Sequence, residues 1–270
     1  ISACLVGSEM CIRDSYNVIA AAAGGAHTLA VLSDGTLSAW GYNAHGELGD
    51  GTNVDRWTPV PVLYNVIAIA AGSQHSLAVL SDGTLLAWGY NAEGELGNGD
   101  ITNSTTPVPV SGLANVTAVA GGDSHSLALL SDGTLMAWGY NGIGQLGDGT
   151  TLTRIIPVPV GGLTNVTAAA AGFSHNLARL SDGTVMAWGG NPSGTPEPVS
   201  GLANVTAVAA GGWHNLVRLS DGTLMAWGSN QYGELGDGGI ADWVTTPQPV
   251  SGLANVTAVA AGWKHSLAGF

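Results

Sequence analysis

His75, Ser76 and Asp82 stand close together in the chain, and their residue types are the parts of a nucleophilic triad, in which an imidazole takes a hydroxyl proton and a carboxylate orients it. The grouping is repeated, however. Histidines fall at His27, His75, His125, His175, His214 and His265, at steps of 48, 50, 50, 39 and 51 residues. Tryptophans keep step at Trp40, Trp88, Trp138, Trp188 and Trp227, each thirteen residues after its histidine. A catalytic centre is a single constellation, so near-identical surroundings in almost every unit point to architecture. The expected role is a half-buried imidazole bonded to a neighbouring backbone carbonyl, and the tryptophan reads as a packing anchor. A metal ring would require the histidines to converge near an axis, with three or four ligands within roughly 2.0–2.3 Å of one point. Neither a metal nor a cofactor is expected.

Two other motifs suggest ligands. Gly46–Thr52 reads GELGDGT, and Glu47 and Asp50 could hold calcium, but the string lacks alternating oxygens and a closing glutamate. It reads as a glycine-punctuated loop with a solvated acid. Asn115, Asn165, Asn204 and Asn255 open Asn-Val-Thr, and Asn103 opens Asn-Ser-Thr, all glycosylation acceptors by pattern. Their recurrence where a strand begins gives a structural reason for most of them, and sugar would depend on a secretory route.

The elements that position these residues follow from the repeat. Self-similarity at a period near 50 marks units that bury their faces only by stacking. In the third unit the segments Val116–Ala120, Ser126–Leu130, Thr134–Trp138 and Pro157–Val160 read as strands. The Ala/Val run permits close approach of neighbouring backbones. Asp132-Gly133 signals a hairpin, because Gly accepts the positive φ of the turn. The proline strand cannot donate to a ladder on both sides and belongs at an edge. Four strands per unit make an all-β propeller of four-stranded blades. The units run 16–63, 64–113, 114–163, 164–202 and 203–253, with a partial unit at 254–270. The fourth lacks the GELGDGT loop, since Trp188 runs through GGNPSGTPEPV into its proline strand. Such a deletion should leave the strands intact.

Residues 1–15 match no part of the repeat and are expected to be non-native, so the targeting signal and compartment stay open. The array holds no cysteine, since Cys4 and Cys11 both precede it. With 19 acidic and 6 basic residues the net charge is -13, against direct nucleic-acid binding, which needs clustered cations. No apolar run reaches the roughly 18 residues that span a bilayer, so no membrane insertion is expected.

The recurring Gly-x-x-His, Ser-Asp-Gly-Thr, Ala-Trp-Gly-x-Asn and Gly-Glu-Leu-Gly-Asp-Gly strings resemble the regulator of chromosome condensation repeat family, from Tyr16 to Phe270. The resemblance implies a β-propeller, commonly seven-bladed and closed by pairing strands from the two chain ends. Five full units and a partial sixth fall short of seven, and a fragment of a longer protein is expected over a smaller closed ring. The founding member's guanine-nucleotide exchange on a small Ras-like GTPase is implied as an alternative activity, though its basic tail and inserted hairpin wedge have no counterpart here. A plant photoreceptor of the family uses repeated Trp-Arg strings, which this chain lacks apart from the similar Trp263-Lys264.

The informative positions vary within the fixed frame. Between the frame Gly and His lie pairs including Asp123-Ser124, Phe173-Ser174, Gly212-Trp213 and Trp263-Lys264, which a propeller should place on one face. Exposed aromatics dominate binding energy at interfaces, so Asp123, Phe173, Trp213, Trp263 and Lys264 are candidate binding residues. Arg179 and Arg218 replace apolar residues at one strand position and are expected to pair with acids or mark a contact site. The expected function is a non-enzymatic scaffold that binds a protein partner. The alternatives are the exchange factor, and a secreted or surface-displayed module binding glycans or proteins, toward which the scarcity of Lys and the Gly/Thr/Asn-rich loops lean. The oligomeric state is open.

Overall fold

The computed structural model describes residues 17–190, 193–240 and 242–270; the head, Tyr16, Asn191–Pro192 and Ala241 lie outside them. Every regular element among the described residues is a strand, and no helix is long and apolar enough to cross a membrane. The first blade holds β1 (Val18–Ala23), β2 (His27–Leu32), β3 (Leu37–Gly41) and β4 (Arg56–Leu63). The second holds β5 (Val66–Ala71), β6 (His75–Leu80), β7 (Leu85–Gly89) and β8 (Ser104–Pro109). In the third are β9 (Val116–Gly121), β10 (His125–Leu130), β11 (Leu135–Gly139) and β12 (Arg154–Pro159). The fourth has β13 (Val166–Ala171), β14 (Asn176–Leu180), β15 (Val185–Trp188) and β16 (Glu197–Pro198). The fifth has β17 (Val205–Ala210), β18 (His214–Leu219), β19 (Leu224–Ser229) and β20 (Trp243–Pro249), and a last sheet pairs β21 (Ala258–Ala261) with β22 (Ser266–Gly269).

Each four-stranded sheet is an antiparallel meander with the proline-bearing strand at one edge. The first strands pack on one another in succession from β1 to β21. Ala, Val and Gly suit that crowding: a Cβ on Gly121 would meet the backbone of Ala71 and Gly72 in the preceding blade. No sheet joins β21 or β22 to β1, so the described last strands do not pair with the first.

Local chemistry explains the turns. Gly133 N–H donates to Leu130 O at 3.0 Å, and Gly133 has φ +84°. Asp132 Oδ1 accepts from Thr134 N at 2.9 Å, which holds the connection between β10 and β11. Asn115, Asn165, Asn204 and Asn255, with Asn65, take φ between 56° and 59°, and the tolerance of asparagine for that left-handed region accounts for their recurrence.

The cores lie between blades. One contains Leu77, Val79, Leu85 and Leu96 of the second blade with Val116, Ala128 and Trp138 of the third. The equivalents add Leu48 with Trp88 and Leu146 with Trp188. Every unit therefore completes its neighbour, as repeat stacking demands.

Two expectations need correction. The outer strand of the third blade starts at Arg154, three residues before Pro157, because an irregularity between Ala137 and Gly139 lets pairing resume at Gly139 with Arg154. The fourth blade does not keep its strands intact: β16 is only two residues long, because the deletion also removes the chain that would pair beside Trp188.

Candidate functional site

The loop between the third and fourth strands is organised by a residue that sequence reasoning passed over. Asn43 is buried; its Oδ1 accepts from Leu48 N at 2.9 Å, and its Nδ2 donates to Thr52 O at 3.0 Å and Val54 O at 3.1 Å. Asn91, Asn141 and Asn230 hold the same place. Their invariance within A-W-G-x-N was the available signal. Asp148 then accepts from Thr150 N at 2.9 Å and pairs with Arg154 at 2.8 Å. Asp148→Ala should lower stability by about 1–2 kcal/mol, read from the urea midpoint, because it removes this part-buried pair and the turn bonds together.

The expectation of a solvated acid in this loop does not hold for its glutamate. Glu47 and Glu95 are buried, each with one oxygen accepting a backbone N–H at 2.9 Å, from His45 and Glu93, and with Oε1 unpartnered. The loop folds back so that its leucine enters the interblade core, and the adjacent glutamate is carried in with it. Burial pushes the Glu95 carboxyl up to about 7 and raises Glu47 in the same direction.

The repeated histidines of the first five units bond side chains rather than carbonyls, and of these five His175 alone is half-buried. His27, His75, His125 and His214 are buried, and Nε2 of each bonds a side chain of the following blade. The partners are Ser76 at 2.9 Å from His27, Ser126 at 2.9 Å from His75, Asn176 at 2.7 Å from His125, Asn215 at 2.9 Å from His175 and Ser266 at 3.0 Å from His214. The partner then reaches back to a loop carbonyl: Ser76 Oγ donates to Glu47 O at 2.8 Å and Asn176 Nδ2 to Gln145 O at 2.7 Å. A carbonyl cannot donate, so Ser76 Oγ gives its proton to Glu47 O and accepts from a His27 Nε2–H. Burial depresses His27 to about 4 and His75 to about 3. Nδ1 of His75, His125 and His214 has no partner, which suits an unprotonated nitrogen in an apolar seam. Asp82 caps its own turn by accepting from Thr84 N, so His75, Ser76 and Asp82 do not form a triad. Among the described residues no three His, Cys, Asp or Glu side chains could hold a metal ion.

The varied turns are linked by backbone bonds. Gly25 N–H donates to Ser73 O, Ser73 N–H to Gly122 O, Asp123 N–H to Phe173 O and Gly212 N–H to Gly262 O, at 3.0–3.3 Å. Along this rim Phe173 meets Trp213 at 5.0 Å and Trp263 edge-on at 4.8 Å between ring centroids. Three successive units thus build one aromatic cluster, with Trp213 and Trp263 about half exposed. Lys264 Nζ sits 4.0 Å from the centre of the Tyr232 ring, and Asp123 accepts from Ser124 Oγ at 3.0 Å. The structure brings Phe173, Trp213 and Trp263 together, with Lys264 adjoining Trp263 in the chain.

Arg179 and Arg218 do not belong to this face and, among the described residues, do not pair with acids. They lie near the opposite ends of β14 and β18, beside the Asp-Gly turns, roughly 13 Å of strand from the varied turns. Arg179 donates to Val205 O at 3.2 Å, at the start of β17, and Arg218 to Thr257 O at 2.9 Å, the residue just before β21. Exposed backbone acceptors lie within reach there, so the cations stitch neighbouring blades.

A family model for the RCC1-like domain matches residues 8–196, more than half of the chain. The chain belongs to that family. Models of the regulator of chromosome condensation (RCC1) repeat also match residues 205–234 and 221–268. Among solved structures, this RCC1-like chain is similar to human WBSCR16, with TM-score 0.84 and 25% identity, covering 93% of this chain and 71% of that one. It is similar to Prp20p of Saccharomyces cerevisiae, with TM-score 0.83 and 28% identity, over 93% and 69% of the two chains. The secretion-regulating guanine nucleotide exchange factor of Bos taurus is 39% identical over 56 residues, 21% of this chain and 12% of that protein. The Mus musculus protein of the same name is 54% identical over 39 residues, 14% of this chain and 8% of its own length. The matched segments thus span about a tenth of these curated relatives.

Proposed function

We propose that the chain is a non-enzymatic docking propeller that engages a protein partner through the turn face built by Phe173, Trp213 and Trp263. The observation that supports this most is the contact of three aromatic rings from three different blades, two of them exposed, on a frame tied blade to blade. Rigid, amphipathic rings lose little entropy on binding and supply a large contact area. No bond-making chemistry is assigned to the chain.

A second reading, guanine-nucleotide exchange on a Ras-like GTPase, is favoured by the Bos taurus and Mus musculus relatives, which are named guanine nucleotide exchange factors, and by the binding of Prp20p to Gsp1p. One experiment separates the two. Ras-like GTPases carrying a fluorescent guanine nucleotide are titrated with the chain and with Trp263→Ala. Saturable binding that Trp263→Ala weakens by about tenfold is the expected result. Accelerated nucleotide release would select exchange; binding without acceleration would select docking alone. Partner binding that is indifferent to both Trp213→Ala and Trp263→Ala would remove this face from consideration.

A further inference from the structure

At each of the first three interfaces between blades, the same two donors close on one loop carbonyl. Glu47 O accepts from Ser76 Oγ at 2.8 Å and Trp88 Nε1 at 2.8 Å. Glu95 O accepts from Ser126 Oγ at 2.9 Å and Trp138 Nε1 at 2.7 Å. Gln145 O accepts from Asn176 Nδ2 at 2.7 Å and Trp188 Nε1 at 2.9 Å. The residue after that carbonyl is a leucine, Leu48, Leu96 or Leu146, fully buried in the interblade core. Glu234 O and Leu235 repeat the arrangement with Ser266 Oγ.

Between the fourth and fifth blades the donors remain and the loop is gone. Asn215 still accepts from His175 through Oδ1, which aims its amide as in Asn176. It is 7% exposed, and its Nδ2 has no acceptor among the described residues; the same holds for Trp227 Nε1. The core of Leu177, Val185, Val205, Val217 and Trp227 receives no equivalent of Leu48, Leu96 or Leu146. In place of the loop lies a cleft of about 660 Å³, lined by Asn215, Trp227, Val199, Trp243 and Thr246 among others. Its size falls in the ordinary range of ligand sites, roughly 300–1,000 Å³.

We propose that this cleft is a peptide-binding site, which takes from a partner protein a short segment presenting a main-chain carbonyl followed by leucine and glycine. The two donors would hold the carbonyl, the leucine would fill the position that Leu146 fills one interface earlier, and glycine would allow the close approach to the indole that Gly147 makes to Trp188. The amide and the indole N–H face the cleft with no acceptor among the described residues, so a ligand that brings one carbonyl fits the site better than a purely apolar one. The site stands apart from the turn face, although Trp213 borders both.

The test uses the whole chain and the capped peptide Gly-Gln-Leu-Gly-Asp-Gly, copied from residues 144–149. The expected result is saturable calorimetric binding with a selective shift of the Trp227 indole N–H resonance. Trp227→Phe and Asn215→Leu should each weaken binding about tenfold. Replacing the peptide's leucine by alanine should weaken it by a similar factor. Trp263→Ala should leave it unchanged, which separates this site from the turn face. Absence of saturation would overturn the proposal. So would a shift of other indoles with Trp227 unmoved, a reading that needs no variant to fold.

Discussion

Lowering the pH from 7 to 4.5 should destabilise the propeller steeply, even though acid relieves much of the repulsion in a chain of net charge -13. The cause is the row of neutral imidazoles between blades. His27 and His175 are depressed to about 4 and His75 to about 3, each by burial first, and His125 and His214 shift the same way. An unfolded histidine binds its proton near pH 6.5. Below that value the unfolded chain takes up protons that the folded chain refuses, so stability present above pH 6.5 is lost as the pH falls toward the folded values. His27, His75 and His175 each contribute up to about 1.4 kcal/mol per pH unit in this window, and His125 and His214 act in the same direction. Glu95 works in the opposite sense: with its folded value raised to about 7, its contribution is present at low pH and lost as the pH rises from about 4.5 to 7. Glu47 shifts in the same direction. Five histidines outnumber these two carboxyls, so the net slope is destabilising on acidification. Urea midpoints at pH 7, 6 and 5 check it, and a flat or rising series would refute the neutral seam. His75→Asn should reduce the slope by about one proton while lowering the stability at pH 7.

The largest single-residue loss should come from Trp138→Ala, at about 3–5 kcal/mol. The indole is fully buried between the second and third blades, stacks over Gly97 and donates to Glu95 O. Its removal opens a cavity and leaves that carbonyl to Ser126 alone. Trp138→Phe retains most of the volume and should lose about 1–2 kcal/mol, mainly the hydrogen bond. Trp40 has the same place in its own repeat, yet it is partly exposed and meets no loop from a preceding blade among the described residues. Trp40→Ala should therefore cost about 1 kcal/mol. Equal shifts of the denaturation midpoint for Trp40→Ala and Trp138→Ala would show that the indole acts within its own blade rather than across the interface.

Much of this was legible in the residues. The 50-residue period, the Asp-Gly turns, the Ala/Val inner strands and the edge prolines act over a few neighbouring residues, and local rules read them directly. The gathering of the varied turns on one face followed from the period alone. The errors were of another kind. Glu47 looked like a loop acid because nothing within its heptapeptide shows that Leu48 must dive into a core formed with the next unit. His75 looked like a carbonyl-bonded imidazole because its partner, Ser126, lies 51 residues away.

The sequence by itself determined that the chain is a stacked array of four-stranded units, since turn chemistry and side-chain alternation are local and the repeat states them five times. Only the tertiary structure decided what each unit gives its neighbour. It set the direction of the histidine bonds, the contact of Phe173 with Trp213 and Trp263, the place of Arg179 and Arg218 at the far end, and the cleft left by the missing loop. These depend on which surfaces of adjacent blades face each other, and that is set by packing two sheets together rather than by either sheet's own residues.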